Sequence, residues 1–303
     1  MSLVSVIIPS FNNAQWLSAC IESCLIQDHL KEIIIVDNQS TDGSLAIIES
    51  YISRFPDILF LYHNPNKGAN YSRNLGFSTS SGQYIQWLDS DDRLLPEKFA
   101  HQIAALETAN ADIVYSDWEM DYYDETSGAF LHAEYKKNQP YPDFLFEILL
   151  NKNWSSPNTY LLSRKMATQL HNFHGWNPET VVEQDREYFT LAAILGAKFV
   201  YAPGNFAIYN RWSPTSISKL SFEKRLEHSS ALAQSFILKI HASEIPDKAK
   251  YINLLKTELL VSKYYHSGIK IDFPITWKEV YWPMVHWKMR LGIGFRMLLR
   301  RLF

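Results

Sequence analysis

"KEIIIVDNQSTDGSLAIIESYISRF", residues 31–55, decides the fold. Ile33 to Val36 form a continuous β-branched run, the pattern of a strand buried on both faces. Asp37 and Asn38 end it, Ser40 or Thr41 can cap a helix whose first turn Asp42 favours, and apolar residues then return at helical spacing. That is one βα unit. The same grammar precedes it in "LVSVIIP" (3–9) and "AQWLSACIESCLIQ" (14–27). It continues in "ILFLYHN" (58–64), the glycine-opened "KGANYSRNLGFSTS" (67–80) and "QYIQWLD" (83–89). Strands taking turns with helices predict an α/β fold with a mostly parallel central sheet flanked by helices.

Composition limits the function classes. The chain has 303 residues, 47% of them hydrophobic, enough for one large domain or a domain with an appendage. Its formal charge is −3 and its basic residues are dispersed until the last stretch, which argues against a nucleic-acid partner. Cys20 and Cys24, four apart in a helical pattern, suit reduced core thiols in a cytosolic protein; as a metal pair they lack further ligands nearby. "MSLVSVIIPSFNN" has no basic opening and no long apolar run, and about 18 consecutive apolar residues occur nowhere. The expected location is cytoplasmic.

In open sheets of this kind ligands bind beyond the carboxyl ends of the strands. Those ends read "PSFNN", "VDNQSTDGS", "HNPNKG" and "LDSDD". In the last of them Asp89, Asp91 and Asp92 crowd together against their mutual repulsion. Hard carboxylate oxygens at this spacing suit a divalent cation, magnesium or manganese, held together with substrate phosphates. The plainer alternative makes Asp91 or Asp92 the cap of a helix near "PEKFAHQIAALETA", with Pro96 in its first turn. It accounts for one acid of the three.

The ordered set "VSVIIPSFNN", "IIIVDNQSTDGS", "NKGANYSRNLG" and "GQYIQWLDSDD" resembles the nucleotide-diphospho-sugar-binding half of the family 2 glycosyltransferases, which have a GT-A fold. The likeness is strong over roughly the first 120 residues and looser to about residue 215. It implies that Asp91 ligates the cation bridging the donor's diphosphate, and that Asp89, in the motif Asp89-Ser90-Asp91, holds the ribose or the cation. It further implies that Asp37 faces the base or ribose, that Pro9, Ser10 and Phe11 line the base pocket, and that Arg73 acts on the nucleotide side. Departures are Ser72 for the common alanine, and Asn38 where many members carry a second acid.

Transfer with inversion needs a base to take the acceptor's proton. "NPETVVEQDREYFTLAAILGAKF" places Asp185 near the start of a helix, where the dipole favours it. By resemblance it is the base of the family's Glu-Asp pair, although Gln184 stands for the glutamate, Glu183 or Glu187 could compete, and a plain helix cap is the alternative. Arg211, in "FAIYNRWSPTSIS", falls where relatives close a loop over the donor, and its guanidinium suits the phosphates. Trp212 stands where relatives often carry a histidine. Trp154, Trp176 and Trp212 could stack on sugar rings or lie buried, and His171 and His174 read as surface or acceptor-side residues.

The expected organisation is a catalytic domain over residues 1–220, with nucleotide-sugar binding in 1–120 and the acceptor side in 121–220, and a helical extension over 221–303. "SFEKRLEHSSALAQSFILKIHAS" and "DKAKYINLLKTELLVSKYYHSG" are amphipathic helical patterns within that extension. Residues 276–303 carry Trp277, Tyr281, Met284, Leu291, Phe295, Leu298 and Leu302 at helical spacing beside Lys288, Arg290, Arg296, Arg300 and Arg301. Such a helix either lies peripherally on the inner face of a membrane or packs its stripe on the domain. The expected function is metal-dependent inverting transfer of a sugar from a nucleotide diphosphate, UDP before GDP or TDP, to a glycan or lipid-linked acceptor in cell-surface polysaccharide synthesis. Two rivals stand beside it. A nucleotidyl- or phosphoryl-transfer enzyme would need a glycine-rich loop that "PSFNNAQW" lacks. A catalytically inactive sugar-nucleotide-binding or scaffolding protein would fit Gln184 and the missing histidine.

Overall fold

The computed structural model describes residues 3–150, 155–212, 220–271 and 274–285. The chain begins β1 (Val4–Ser10), α1 (Ala14–Leu25), β2 (Leu30–Asp37), α2 (Ser44–Arg54), β3 (Leu59–His63), α3 (Ala69–Thr79) and β4 (Tyr84–Trp87). It continues through β5 (Arg93–Leu94), α4 (Lys98–Ala109), β6 (Ile113–Tyr123), β7 (Phe130–Lys136), α5 (Phe144–Leu149), β8 (Tyr160–Ser163) and α6 (Arg164–Phe173). Then follow α7 (Gln184–Ile194), β9 (Phe199–Arg211), α8 (Phe222–Ala242) and α9 (Lys248–Tyr265).

The sheet runs β3-β2-β1-β4-β8-β6-β9-β5, with β7 added to β6. Its first four strands are parallel, as the alternation requires. Beyond β4 the sheet is mixed: β8 is antiparallel to both β4 and β6, whereas β6 and β9 run parallel. All seven residues of β1 are buried, and Leu17, Cys20, Ile21 and Cys24 of α1 pack in the same core. Both cysteines are therefore free buried thiols. On α3, a Cβ at Gly76 would stand 2.5 Å from Ile7 Cγ2, so only glycine lets this helix lie so close to β1.

The register aligns the strand ends. Ser10 faces Asp37 and Asp37 faces His63 across the β1–β2 and β2–β3 pairs, while β4 flanks β1 on the other side. The carboxyl edge thereby gathers "PSFNN", Asp37 and the acid loop.

Two helix-cap expectations are overturned. Helix α2 begins at Ser44 after Gly43, and Ser40 instead accepts the amide of Asn12 at 3.0 Å. Helix α4 begins at Lys98, two residues past Pro96, after Glu97 in a left-handed conformation with no side-chain cap. Asp91 and Asp92 are engaged elsewhere.

The described residues form two compact units that interleave along the chain, where the sequence reading drew one boundary at residue 220. The first, residues 3–142, 155–179 and 197–212, contains the whole sheet. The second, residues 143–150, 180–196, 220–271 and 274–285, contains α5, α7, α8 and α9. Both predicted amphipathic helices are present there as α8 and α9, with Phe236, Ile237, Leu255 and Leu259 buried.

The continuous helix expected from residue 276 is not what residues 274–285 form. They make two 3-10 turns, Trp277–Glu279 and Trp282–Met284, and Val280 and Val285 are buried beside Leu260 and Val261 of α9. Pro283 lacks an amide hydrogen, which opposes continuous helix here. Residues 286–303, with all five basic residues of the membrane expectation, lie outside the described residues. Among the described residues no helix is long and apolar enough to cross a membrane.

Candidate active site

Each acid of the loop after β4 has a different fate. Asp92 is fully buried and accepts the backbone amide of Asn210 at 3.0 Å and the side-chain amide of Asn158 at 2.9 Å, pinning the loop to β9. Asp89 is half-buried and receives Arg73 Nη2 at 2.7 Å. Asp91 keeps some solvent contact, and its backbone carbonyl takes the Asn210 side chain. Desolvation, and then the neighbouring charge of Asp89, push the Asp91 carboxyl up to about 7. Burial first, and then the charges of Asp91 and Asp89, also raise Asp92 well above the carboxylate range. Ser90, between Asp89 and Asp91, is buried and accepts the Asn13 amide at 2.8 Å.

Arg73 is 5% exposed because α3 and the segment after α6 enclose it. Its Nη1 donates to Asn70 Oδ1 at 2.8 Å, and its guanidinium lies 4.4 Å from the ring of Trp176. Asn70 and Asn74 hold that segment by donating to the carbonyls of Asn177 and Trp176, each at 2.7 Å. Trp176, 2% exposed, is thus a wall behind Arg73 and not a sugar-stacking face.

At the ends of β1 and β2, Asp37 Oδ2 accepts the amides of Gln39 and Ser40 at 3.0 and 3.1 Å, forming the turn after the strand. Asp37 Oδ1 and Ser10 Oγ are buried without a hydrogen-bond partner among the described residues. Pro9 is buried below them, and Phe11 is exposed on the adjoining loop. The Asn38 side chain is bonded within the protein. Its amide donates to the carbonyls of Asn64 and Asn66 and its oxygen accepts the amide of Gly68, stapling the next strand's loop. Two carbonyls need a donor, which an acid in its ionised form lacks.

Arg211, at the end of β9, is exposed, with its guanidinium 5.5 Å from the Tyr122 ring. Trp212 packs 5.8 Å from Trp16, which meets Tyr123 at 4.7 Å, so it belongs to an aromatic cluster. His171 packs on Phe77 at 4.9 Å, and His174 is exposed. Residues 213–219, after Trp212, and Trp154 lie outside the described residues.

In the second unit, α7 opens at Gln184 after Glu183, whose φ of 58° is left-handed. Asp185 is in the first turn, half-buried, and is not the helix cap. The acids on either side of it are bonded within the protein. Glu183 receives Arg186 at 2.8 Å and Ser229 at 2.5 Å, and buried Glu187 accepts the Thr180 hydroxyl at 2.6 Å.

The family model described as Glycosyl transferase family 2 matches residues 5–211. The chain belongs to glycosyltransferase family 2. A relative, the glycosyltransferase GlyG of Streptococcus pneumoniae serotype 4, is 24% identical over 280 residues, covering 87% of this chain and 90% of the relative. The putative teichuronic acid biosynthesis glycosyltransferase TuaG of Bacillus subtilis is 33% identical over 133 residues, 43% of this chain and 53% of that protein. The crystal structure of S. aureus TarS 1–349 in complex with UDP-GlcNAc superposes with a TM-score of 0.65 at 18% identity, covering 89% of this chain and 77% of that one. That likeness carries the fold, which is of the GT-A type that the family resemblance implied.

In this glycosyltransferase, Asn210, Asn158, Asn13 and Trp176's stacking on Arg73 were not legible as site-forming. Asn210 had one usable signal: it shares the inward parity of Phe206 and Ile208 along β9, where an amide needs a partner. Among the described residues no three His, Cys, Asp or Glu side chains converge to hold a metal. Among the described residues the acid loop offers the Asp91 and Asp89 carboxylates, and Asp89 already shares an oxygen with Arg73. That donor set fits magnesium or manganese, which bind through one or two carboxylates together with substrate phosphates and water.

Proposed function

We propose that this family 2 glycosyltransferase is a cation-dependent inverting enzyme that moves a sugar from a nucleotide diphosphate to a hydroxyl of a glycan or lipid-linked acceptor. One observation carries the donor side: the buried, unpartnered Asp37 Oδ1 and Ser10 Oγ at the strand ends beside the acid loop. A buried polar atom left without a partner costs about 1–3 kcal/mol, and the hydroxyls of a nucleoside supply the missing partners. Phe11 then offers a face for the base and Arg211 a fork for the phosphates.

A cation held by Asp91, with Asp89, would neutralise the leaving diphosphate. Asp89, fixed by Arg73, orients the loop and limits the spread of its negative charge. Asp185 takes the acceptor's proton, a role supported by its place in the first turn of α7, where the helix dipole favours a carboxylate. UDP is the first choice of nucleotide and GDP or TDP the alternatives; the TarS complex favours the UDP reading. The likeness to TuaG supports a place in cell-surface polysaccharide synthesis. The test is a thermal-shift panel of UDP-, GDP- and TDP-sugars with manganese on wild type and Asp37→Ala. Stabilisation by one nucleotide class that Asp37→Ala weakens supports the reading; equal stabilisation of both proteins sinks the donor pocket.

A further inference from the structure

The residue that follows Asp185 has no role in the proposed chemistry, yet it is bonded to three protein groups at once. Arg186 is 4% exposed, and its guanidinium meets Glu258 in two-pronged fashion, Nη1 to Oε1 at 2.9 Å and Nη2 to Oε2 at 2.7 Å. Nη1 also reaches Glu183 Oε2 at 2.8 Å, Nη2 reaches the Leu149 carbonyl at 3.3 Å, and the plane lies 6.0 Å from the Phe236 ring. Four elements thus converge on one cation: the turn before α7, the end of α5, α8 and α9. Burial alone would depress the guanidinium's pKa, but Glu258 and Glu183 outweigh it and hold the charge in place.

Around Asp185 the first turn is pinned on both sides. Gln184 Nε2 donates to the Thr180 carbonyl at 3.0 Å, and Thr180 in turn bonds Glu187. Glu183 sustains a left-handed backbone that a non-glycine residue adopts only when its surroundings enforce it, here through Arg186 and Ser229. Successive side chains on a helix are separated by about 100°, so fixing residues 184, 186 and 187 fixes the direction in which 185 projects.

A buried ion pair is poor evidence of stability, since apolar pairs of similar volume often replace it without loss. What it does supply is one defined geometry. We propose that Arg186 is a positioning residue: clamped by Glu258 and Glu183, it sets the orientation of Asp185 and makes α8 and α9 part of the catalytic apparatus. This rests on the reading of Asp185 as the base.

The experiment compares wild type, Asp185→Asn and the double variant Arg186→Met/Glu258→Met, which replaces the pair with side chains that pack without charge. Two readouts are taken: amide hydrogen exchange along α7, and turnover per folded protein with manganese and the best donor of the nucleotide-sugar panel. The double variant is expected to fold, to exchange at residues 184–188 at least tenfold faster while 189–194 stay protected, and to lose at least 30-fold in kcat with the donor KM within twofold. Unchanged exchange at 184–188 overturns the proposal even if no donor is turned over. Turnover lost in Asp185→Asn but kept in the double variant overturns the positioning role alone. Turnover kept in Asp185→Asn sinks the base reading instead.

Discussion

Two short acidic stretches invite comparison: Asp89, Asp91 and Asp92 after β4, and Glu183, Asp185 and Glu187 at the start of α7. In both, three carboxylates fall within five residues, and Asp89, Asp92, Glu183 and Glu187 are tied to protein. The difference lies in compensation. Buried Arg186 stands between Glu183 and Glu258, so the second cluster is built around a cation of its own that ties it to α9. In the first, Arg73 serves Asp89, while Asp91 and Asp92 are pushed toward their neutral forms. Acids gathered around a buried cation hold a shape; acids pushed toward their neutral forms by one another are a place for an incoming positive charge.

The sharpest way to break the contrast is Asp91→Ala, which is expected to abolish manganese-dependent nucleotide binding. Unchanged manganese dependence in a titration of that variant would remove the cation from the first cluster. Next comes Asp185→Asn, expected to lower turnover by about 10²- to 10⁴-fold, the usual worth of a positioned base, while nucleotide affinity stays put. Loss of binding in that variant would mean the second cluster serves the donor instead.

Acidity separates the clusters more gently. With a carboxyl at about 7 in the cation-free protein, protons compete with the metal for Asp91. Manganese affinity of the wild type should therefore fall about tenfold for each pH unit below 7. The linked stability has the opposite sign. Because the folded pKa is raised, an ionised Asp91 disfavours the folded state, so cation-free wild type should lose stability relative to Asp91→Asn as pH rises from about 4 through 7. A pH-independent difference in urea midpoints would contradict both. The smallest effect is expected at Asn38→Asp, which sets a carboxylate against the Asn64 and Asn66 carbonyls and should cost about 1–3 kcal/mol in unfolding free energy without changing manganese affinity.

The sequence was legible where one interaction dominates. The runs of β1 and β2 can only be doubly buried strands, and Gly68 announced the start of α3 because its φ of 133° excludes side chains. It misled where two polar groups competed for the same partners. Ser40 reads as a cap, but Asn12 claims it; Asp92 reads as a cap, but Asn210 and Asn158 claim it. Trp277 and Tyr281 read as one helix stripe, but Pro283 stands in the 3-10 turns that Val280 and Val285 seat against α9.

What the sequence determined by itself was the order of strands and helices as far as β4, the later helices α4, α7, α8 and α9, and the gathering of polar residues at one edge of the sheet, because periodicity and chain connectivity are local properties. Which acid is paired, which is buried and which is left under strain of charge was decided by partners 16 to 118 residues away, such as Arg73 for Asp89 and Asn210 for Asp92. The electrostatic character of a carboxylate depends on what surrounds it in space, and no spacing along the chain encodes that.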